Sequence, residues 1–127
     1  KRLGQNFLID PNIVRKIVSL AQLDPNDHVL EIGPGRGFLT EALCQAAGRI
    51  TAVEVDPRLH AYLETRRAEL PNVELVCEDA LTYPVESLPT GTVVVANLPY
   101  YISTPLLFRL LDQLRKPLDR LPRPSRC

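Results

Sequence analysis

Methionine is absent from all 127 residues, the first included. The native start is therefore expected upstream of Lys1, which leaves open a targeting segment ahead of it. Cysteine is scarce: Cys44, Cys77 and Cys127 are too few and too scattered for a disulfide framework or a zinc knuckle. Reduced thiols in a cytoplasmic protein are expected, with Cys44 and Cys77 in the core and no metal site. Neither sign of charge is in surplus, 15 basic residues balancing 15 acidic ones, so any nucleic-acid contact has to come from local patches. No apolar run approaches the roughly eighteen residues of a membrane span, and no signal peptide is visible, so no membrane partner is expected. No internal repeat is apparent. What is left, 45% hydrophobic and 24% charged, suits one soluble domain with a core of its own.

Of only six glycines, three stand at alternate positions in Val29-Leu30-Glu31-Ile32-Gly33-Pro34-Gly35-Arg36-Gly37-Phe38-Leu39-Thr40. A short apolar run ends there and hands over to the apolar-periodic segment 38–47, the pattern of a buried parallel strand turning into a helix. A Cβ at Gly33, Gly35 or Gly37 would stand between the main chain and a ligand, so the turn is a candidate site. The next apolar run, Arg49 to Val55, places Glu54 near its carboxyl end about twenty residues after the first glycine, where doubly wound folds bond a ribose hydroxyl pair.

The remaining elements follow from caps and breakers. Asp10-Pro11 opens a helix whose buried face is Ile13, Ile17, Leu20 and Ala21, helped by Val14 and Val18, and Asp24 to Asp27 stop it. Gly48 reads as the cap ending the second helix. Asp56-Pro57 starts a third, with Leu59, Leu63 and Leu70 inward and Arg58, Glu64, Arg66, Arg67 and Glu69 on a solvated face. Val73 to Cys77 is a third strand, with Asp79 just past its end. Thr92 to Ala96 is a fourth, buried on both faces and leading to Asn97-Leu98-Pro99-Tyr100. Thr104-Pro105 caps a last helix with Leu106, Leu107, Leu110, Leu111 and Leu114 inward. Residues 1–114 thus form one α/β domain, a doubly wound parallel sheet in the order 3-2-1-4. Residues 115–127, rich in arginine and proline, are expected to be a disordered tail.

In such a sheet the strand ends share one crevice, so Gly33, Gly35, Glu54, Asp79 and Asn97 are expected to converge. Acids suited to a ribose and to an adenine amino group, beside a glycine turn, describe an adenosine-containing ligand, either a dinucleotide or S-adenosylmethionine. A pyrophosphate wants G-x-G-x-x-G, and here the third glycine comes one residue early. The fourth strand end favours the second ligand. If Asn97 Oδ1 and a carbonyl of its turn accept the hydrogens of an adenine or cytosine amino group, the lone pair is aimed at a sulfonium methyl, with the turn fixed by Pro99. Tyr100 offers a face to stack a flipped base, worth roughly 1–3 kcal/mol. The residues alone lead to an amino-group methylase.

Gly4-Gln5-Asn6-Phe7-Leu8, Glu31 to Gly37, Glu54-Val55-Asp56, Glu78-Asp79-Ala80 and Asn97-Leu98-Pro99-Tyr100, in this order, resemble the successive motifs of the ribosomal RNA adenine dimethyltransferases, the KsgA and Erm enzymes. The likeness spans residues 1 to 114. Gly4 to Leu8 and Ile102-Ser103-Thr104-Pro105 look more like the branch acting on small-subunit RNA. The resemblance implies a Rossmann-like class I methyltransferase fold and two methyl transfers from S-adenosylmethionine to one adenine amino nitrogen of ribosomal RNA. It implies that Asn6 and Leu8 line the cofactor, Gly33 and Gly35 approach it, Glu54 holds the ribose, Asp79 meets the adenine amino group, and Asn97, Pro99 and Tyr100 present the target base.

The Arg/Pro tail departs from the family's next segment, so the chain is expected to be an amino-terminal fragment lacking the later strands and a helical RNA-holding domain. The strand Thr92 to Ala96 would then be an open edge inviting self-association. An alternative is a non-catalytic module that binds ribosomal RNA or a pre-ribosomal particle and retains only the cofactor pocket.

Overall fold

The computed structural model of the chain describes residues 11–96 and 106–109. Helix α1 spans Pro11–Ala21, strand β1 His28–Ile32, helix α2 Phe38–Ala46, strand β2 Arg49–Glu54 and helix α3 Pro57–Glu64. Strand β3 covers Val73–Cys77, β4 Val93–Ala96 and β5 Leu106–Arg109. The sheet order is β3-β2-β1-β4-β5. The first four strands are parallel neighbours in the expected order, with Val29 aligned on Ile50 and on Val93, and Ile50 on Val73.

Alternation along the strands sorts the core into two faces. Val29, Ile50, Ala52, Val93 and Val95 point to one, where α1 adds Ala21, α2 adds Leu39 and Leu43, and α3 adds Leu63. Leu30, Val53 and Val94 point to the other, covered among the described residues by Leu88 with Ile32, Val76, Ala80, Tyr83 and Val85. Strand β4 is buried along its whole length, as its β-branched run requires.

The carboxyl side of β4 departs from the sequence reading. Leu106–Arg109, expected to begin a helix, is a strand pairing antiparallel with β4, Ala96 opposite Leu106 and Val93 opposite Arg109. Four apolar or long residues in a row satisfy either periodicity, and the unpaired edge of β4 offers backbone groups that a strand can satisfy. The expectation of an open β4 edge, and of self-association through it, loses its basis. The rest of the expected last helix, the tail 115–127 and Cys127 lie outside the described residues.

Other details are corrected by packing. Leu20 is 63% exposed, because the buried stripe of α1 runs through Val14, Ile17, Val18 and Ala21 at helical spacing and Leu20 falls beside it. Cys44 is half-buried and Cys77 exposed, since the end of β3 rises out of the core. Gly48 does not adopt a left-handed cap. A Cβ there would lie 2.1 Å from the Pro25 carbonyl oxygen, while Gly48 N donates to Asp27 O, so close backbone approach is what requires glycine. The end of α2 is instead tied down by Asn72, whose Nδ2 donates to the carbonyls of Cys44, Ala47 and Gly48 at 2.9, 3.0 and 3.3 Å.

Candidate functional site

The glycine turn grows directly out of the sheet. Gly33 N still donates to Val53 O at 3.0 Å, extending the β1–β2 ladder by one residue before the chain turns. Gly33, Gly35 and Gly37 all have positive φ, at 76°, 59° and 87°, a region that side chains with a Cβ enter only under strain. Gly37 N bonds Pro34 O, and Glu41 N bonds Gly37 O to start α2.

The three glycines have different reasons. A Cβ on Gly35 would meet nothing within 4 Å, so this peptide borders open space of the kind a ligand needs. A Cβ on Gly37 would stand 2.8 Å from Leu63 Cδ2 and 3.1 Å from Arg66 Nη1. Gly37 is therefore explained by packing against α3, and not by approach to a ligand as expected.

Glu54 closes β2 and is 5% exposed. Its Oε1 accepts the Gly35 N–H at 3.0 Å and its Oε2 the Asp56 N–H at 3.0 Å. Each carboxylate oxygen can accept twice, so one acceptor position per oxygen remains for a vicinal pair of ligand hydroxyls. Next to it, Glu78 N bonds Glu54 O at 3.1 Å and sets the end of β3 beside the end of β2. Asp79 follows on an exposed turn, with Oδ1 accepting from Leu81 N at 2.9 Å. Ala96, at the end of β4, is aligned with Ile32. The strand ends thus bring Gly33, Gly35, Glu54 and Asp79 to one edge. Asn6, Leu8, Asn97, Pro99 and Tyr100 lie outside the described residues.

Two residues passed over in the sequence complete the site. Glu31 is fully buried in β1; Thr40 Oγ1 of α2 donates to its Oε1, and its Oε2 has no partner among the described residues. Burial first, and the neighbouring Glu54 charge to a smaller degree, push its pKa up to about 7 against the opposing Thr40 bond. An acid inside Val29-Leu30-Glu31-Ile32 was the visible signal, since a carboxylate in a strand buried on both sides demands a reason. Arg66 was read as solvated but its side chain is only 16% exposed. It donates to the Arg36 carbonyl at 3.0 Å, to Glu41 Oε1 at 3.0 Å and to Glu69 Oε1 at 2.8 Å, fastening the back of the glycine turn to α2 and to the segment that follows α3. The Arg36 guanidinium lies 5.9 Å from the centre of the Tyr62 ring, a cation–π distance. Nothing in the sequence separates Arg66 from its neighbour Arg67.

Among the described residues no three His, Cys, Asp or Glu side chains are grouped as a metal ion would need, and no helix is long and apolar enough to cross a membrane.

Comparison with known proteins bears on this geometry. The family described as ribosomal RNA adenine dimethylase matches residues 1–122. Proteins named ribosomal RNA small subunit methyltransferase A are similar to the chain. The one from Corynebacterium diphtheriae is 49% identical over 88% of the chain and 40% of its own length. That from Chlorobium phaeobacteroides is 50% identical over 91% of the chain and 44% of its own length. The chain thus spans well under half the length of these relatives. Among solved structures, the 23S rRNA methyltransferase ErmE superposes with a TM-score of 0.66 at 38% identity, over 72% of this chain and 37% of that one. A dimethyladenosine transferase from Plasmodium falciparum gives 0.62 at 32% identity, over 72% and 33%. The fold is the Rossmann-like methyltransferase fold.

Proposed function

The chain belongs to the ribosomal RNA adenine dimethylase family, and on that premise we propose that it carries the cofactor-binding part of an enzyme that methylates ribosomal RNA. The cofactor is S-adenosylmethionine. The substrate is an adenine amino nitrogen of small-subunit RNA, methylated twice. The observation that carries the reading is Glu54, a buried carboxylate with two acceptor positions left over, bonded to the glycine peptide that borders open space. A ribose diol fits that donor set, and an adenosine seated there reaches toward Asp79 on the neighbouring strand end.

S-adenosylmethionine supplies, when bound, a methyl group on a positively charged sulfur. Every other task falls to the chain. Glu54 orients the ribose, Gly33 and Gly35 let the backbone pass close to the amino-acid end, and Asp79 meets the adenine amino group of the cofactor. Asn6 and Leu8 line the same ligand from the amino-terminal side. Asn97 accepts hydrogen bonds from the target amino group, so that its lone pair points outward and the proton is lost only as the new bond forms. Pro99 holds that turn rigid and Tyr100 stacks the flipped base.

Calorimetry tests the cofactor assignment on the chain itself. S-adenosylmethionine and S-adenosylhomocysteine should bind, NAD should not, and Glu54→Ala should weaken both ligands by roughly 10- to 100-fold, the loss of one or two charge-assisted hydrogen bonds. Binding of NAD without S-adenosylhomocysteine would return the site to a dehydrogenase reading.

A further inference from the structure

The Arg36 side chain serves neither the core nor the cofactor contacts, although its peptide joins Gly35, which borders open space, to Gly37, which packs on Leu63. Its carbonyl is held by Arg66 Nη1 at 3.0 Å, and its guanidinium lies over the Tyr62 ring of α3. No acid among the described residues pairs with that guanidinium. The Tyr62 side chain is itself exposed. One turn earlier in α3, and so on the same side of the helix, stands Arg58, its side chain 93% exposed and 3.7 Å from Asp56. The other acids near this surface are matched by other bases: Glu41 and Glu69 by Arg66, and Glu64 by Arg67.

The two sides of the sheet differ in charge, although the chain as a whole is neutral. Between Arg67 and Arg109 the sequence has no lysine or arginine and carries Glu69, Glu74, Glu78, Asp79 and Glu86. Glu74 alternates with the buried Val73 and Leu75 of β3 and so points away from the helices. Glu86 follows Val85 in the segment that covers that second face. Arg49 is spent there on Glu74 at 3.3 Å. The helix side holds Arg36 and Arg58, and α1 adds the exposed Arg15 and Lys16 with no acid in the helix. A polyanion approaching the cofactor edge is repelled from the second face and drawn to the helix side.

We infer that Arg36, Tyr62 and Arg58 form a contact surface for single-stranded RNA beside the cofactor edge, the two guanidinium groups taking phosphates and the ring taking a base. The inference rests on the ribosomal RNA reading above and names where on this chain the strand next to the target adenine is held. A guanidinium meets a phosphate through paired donors, and an aromatic ring stacks a base of any sequence. Arg36 is arranged in advance, by Arg66 on its carbonyl and by Tyr62 under its guanidinium, which lowers the cost of ordering a long side chain on binding. Glu54 holds the neighbouring Gly35 peptide from the cofactor side, so a strand bound at Arg36 lies one residue from the peptide assigned to the cofactor.

Fluorescence anisotropy of the chain with a labelled oligoadenylate of about twelve nucleotides, titrated at several salt concentrations, reads affinity and the number of phosphate contacts together. Arg36→Gln and Arg58→Gln should each weaken binding roughly fivefold and flatten the slope of log affinity against log salt by about 0.7, the loss of one contact to a single strand. Tyr62→Leu should weaken binding roughly five- to hundredfold with the slope unchanged, while Tyr62→Phe, which keeps the ring, should bind as wild type does. Glu86→Gln, on the opposite face, should change affinity by less than about twofold. A merely structural role for these side chains would not separate slope from affinity in this way. Unchanged binding in Arg36→Gln and Tyr62→Leu overturns the inference. So does a gain in Glu86→Gln as large as the loss in Arg36→Gln, because net charge alone would then be read. No binding by wild type at low salt overturns it together with the RNA reading. S-adenosylhomocysteine should bind all the variants equally, and its failure to bind wild type would sink the cofactor assignment while leaving the RNA surface standing.

Discussion

Gly35 donates its backbone N–H to Glu54 Oε1 at 3.0 Å, across nineteen positions of sequence. The peptide that needs glycine and the acid that ends the second strand are therefore one device, and disturbing either one displaces the other. Gly35→Ala places a Cβ in open space at a φ of +59°, which costs about 1–2 kcal/mol of backbone strain. Gly37→Ala adds contacts of 2.8 and 3.1 Å to Leu63 and Arg66 and is expected to cost more, about 2–4 kcal/mol. Cofactor affinity should respond in the opposite order, relative to stability, because only Gly35 borders the ligand space. Urea unfolding and calorimetry of both variants check this, and an equal ratio of the two losses would contradict it.

Arg66→Ala removes three donors from the back of the turn at once. Destabilisation of about 1–3 kcal/mol is expected, along with weaker cofactor binding, because the Arg36 carbonyl and Glu41 are left without their shared partner. Lysine at this position delivers a point charge without the planar fork, so Arg66→Lys should restore less than half of either loss. Full rescue by lysine would mean that charge alone matters there.

The raised pKa of Glu31 fixes the sign of a pH effect on stability. Below about 4.5, its ordinary value, folded and unfolded chains both hold the proton and nothing is lost. Between 4.5 and about 7 the unfolded chain gives up the proton while the folded one keeps it. Stability thus falls as pH rises through this window and levels off above it, by an amount on the order of 3 kcal/mol. Glu31→Gln should match wild type near pH 4.5 and be more stable by about 1–3 kcal/mol at pH 8. Thermal melts of both at the two pH values decide it, and a variant that loses equally at both refutes the account.

In a full-length enzyme carrying this segment, Asn97→Ala is expected to reduce methyl transfer by at least 100-fold while cofactor affinity changes less than about threefold, since Asn97 is assigned to the target base. Labelled cofactor and undermethylated small subunits measure the first quantity, calorimetry the second. Parallel losses would break that division of roles. Retention of the subunits by unsubstituted enzyme with no incorporation of label would favour a non-catalytic binding module.

The parts of the fold written by period and punctuation were legible. Val93–Val95 is β-branched throughout, β4 is buried along its whole length, and the strand–glycine–helix handover falls where the pattern puts it. The place of Glu54 at the end of the second strand, beside the glycine turn, was legible because its distance from the glycines fixes it. Arg66 was not, because its partners are a carbonyl and two acids brought together only by packing. Leu106–Arg109 was misread because the pairing that decides its state comes from a different part of the chain. Asn72 looked like a turn residue and is one, but its amide also holds the end of a helix more than twenty positions earlier.

The pairing of Val29 with both Ile50 and Val93 also sets an order of assembly. As the chain leaves the ribosome, β1 can meet β2 early, whereas its other neighbour emerges only after β3 and the loop beyond it. Until then one flank of the central strand stays unpaired, and joining it requires closing a long loop, a slow step in parallel sheets. Mutations that weaken β4 should for that reason reduce soluble yield in fast expression at 37 °C far more than at 18 °C, even where the purified chain is stable.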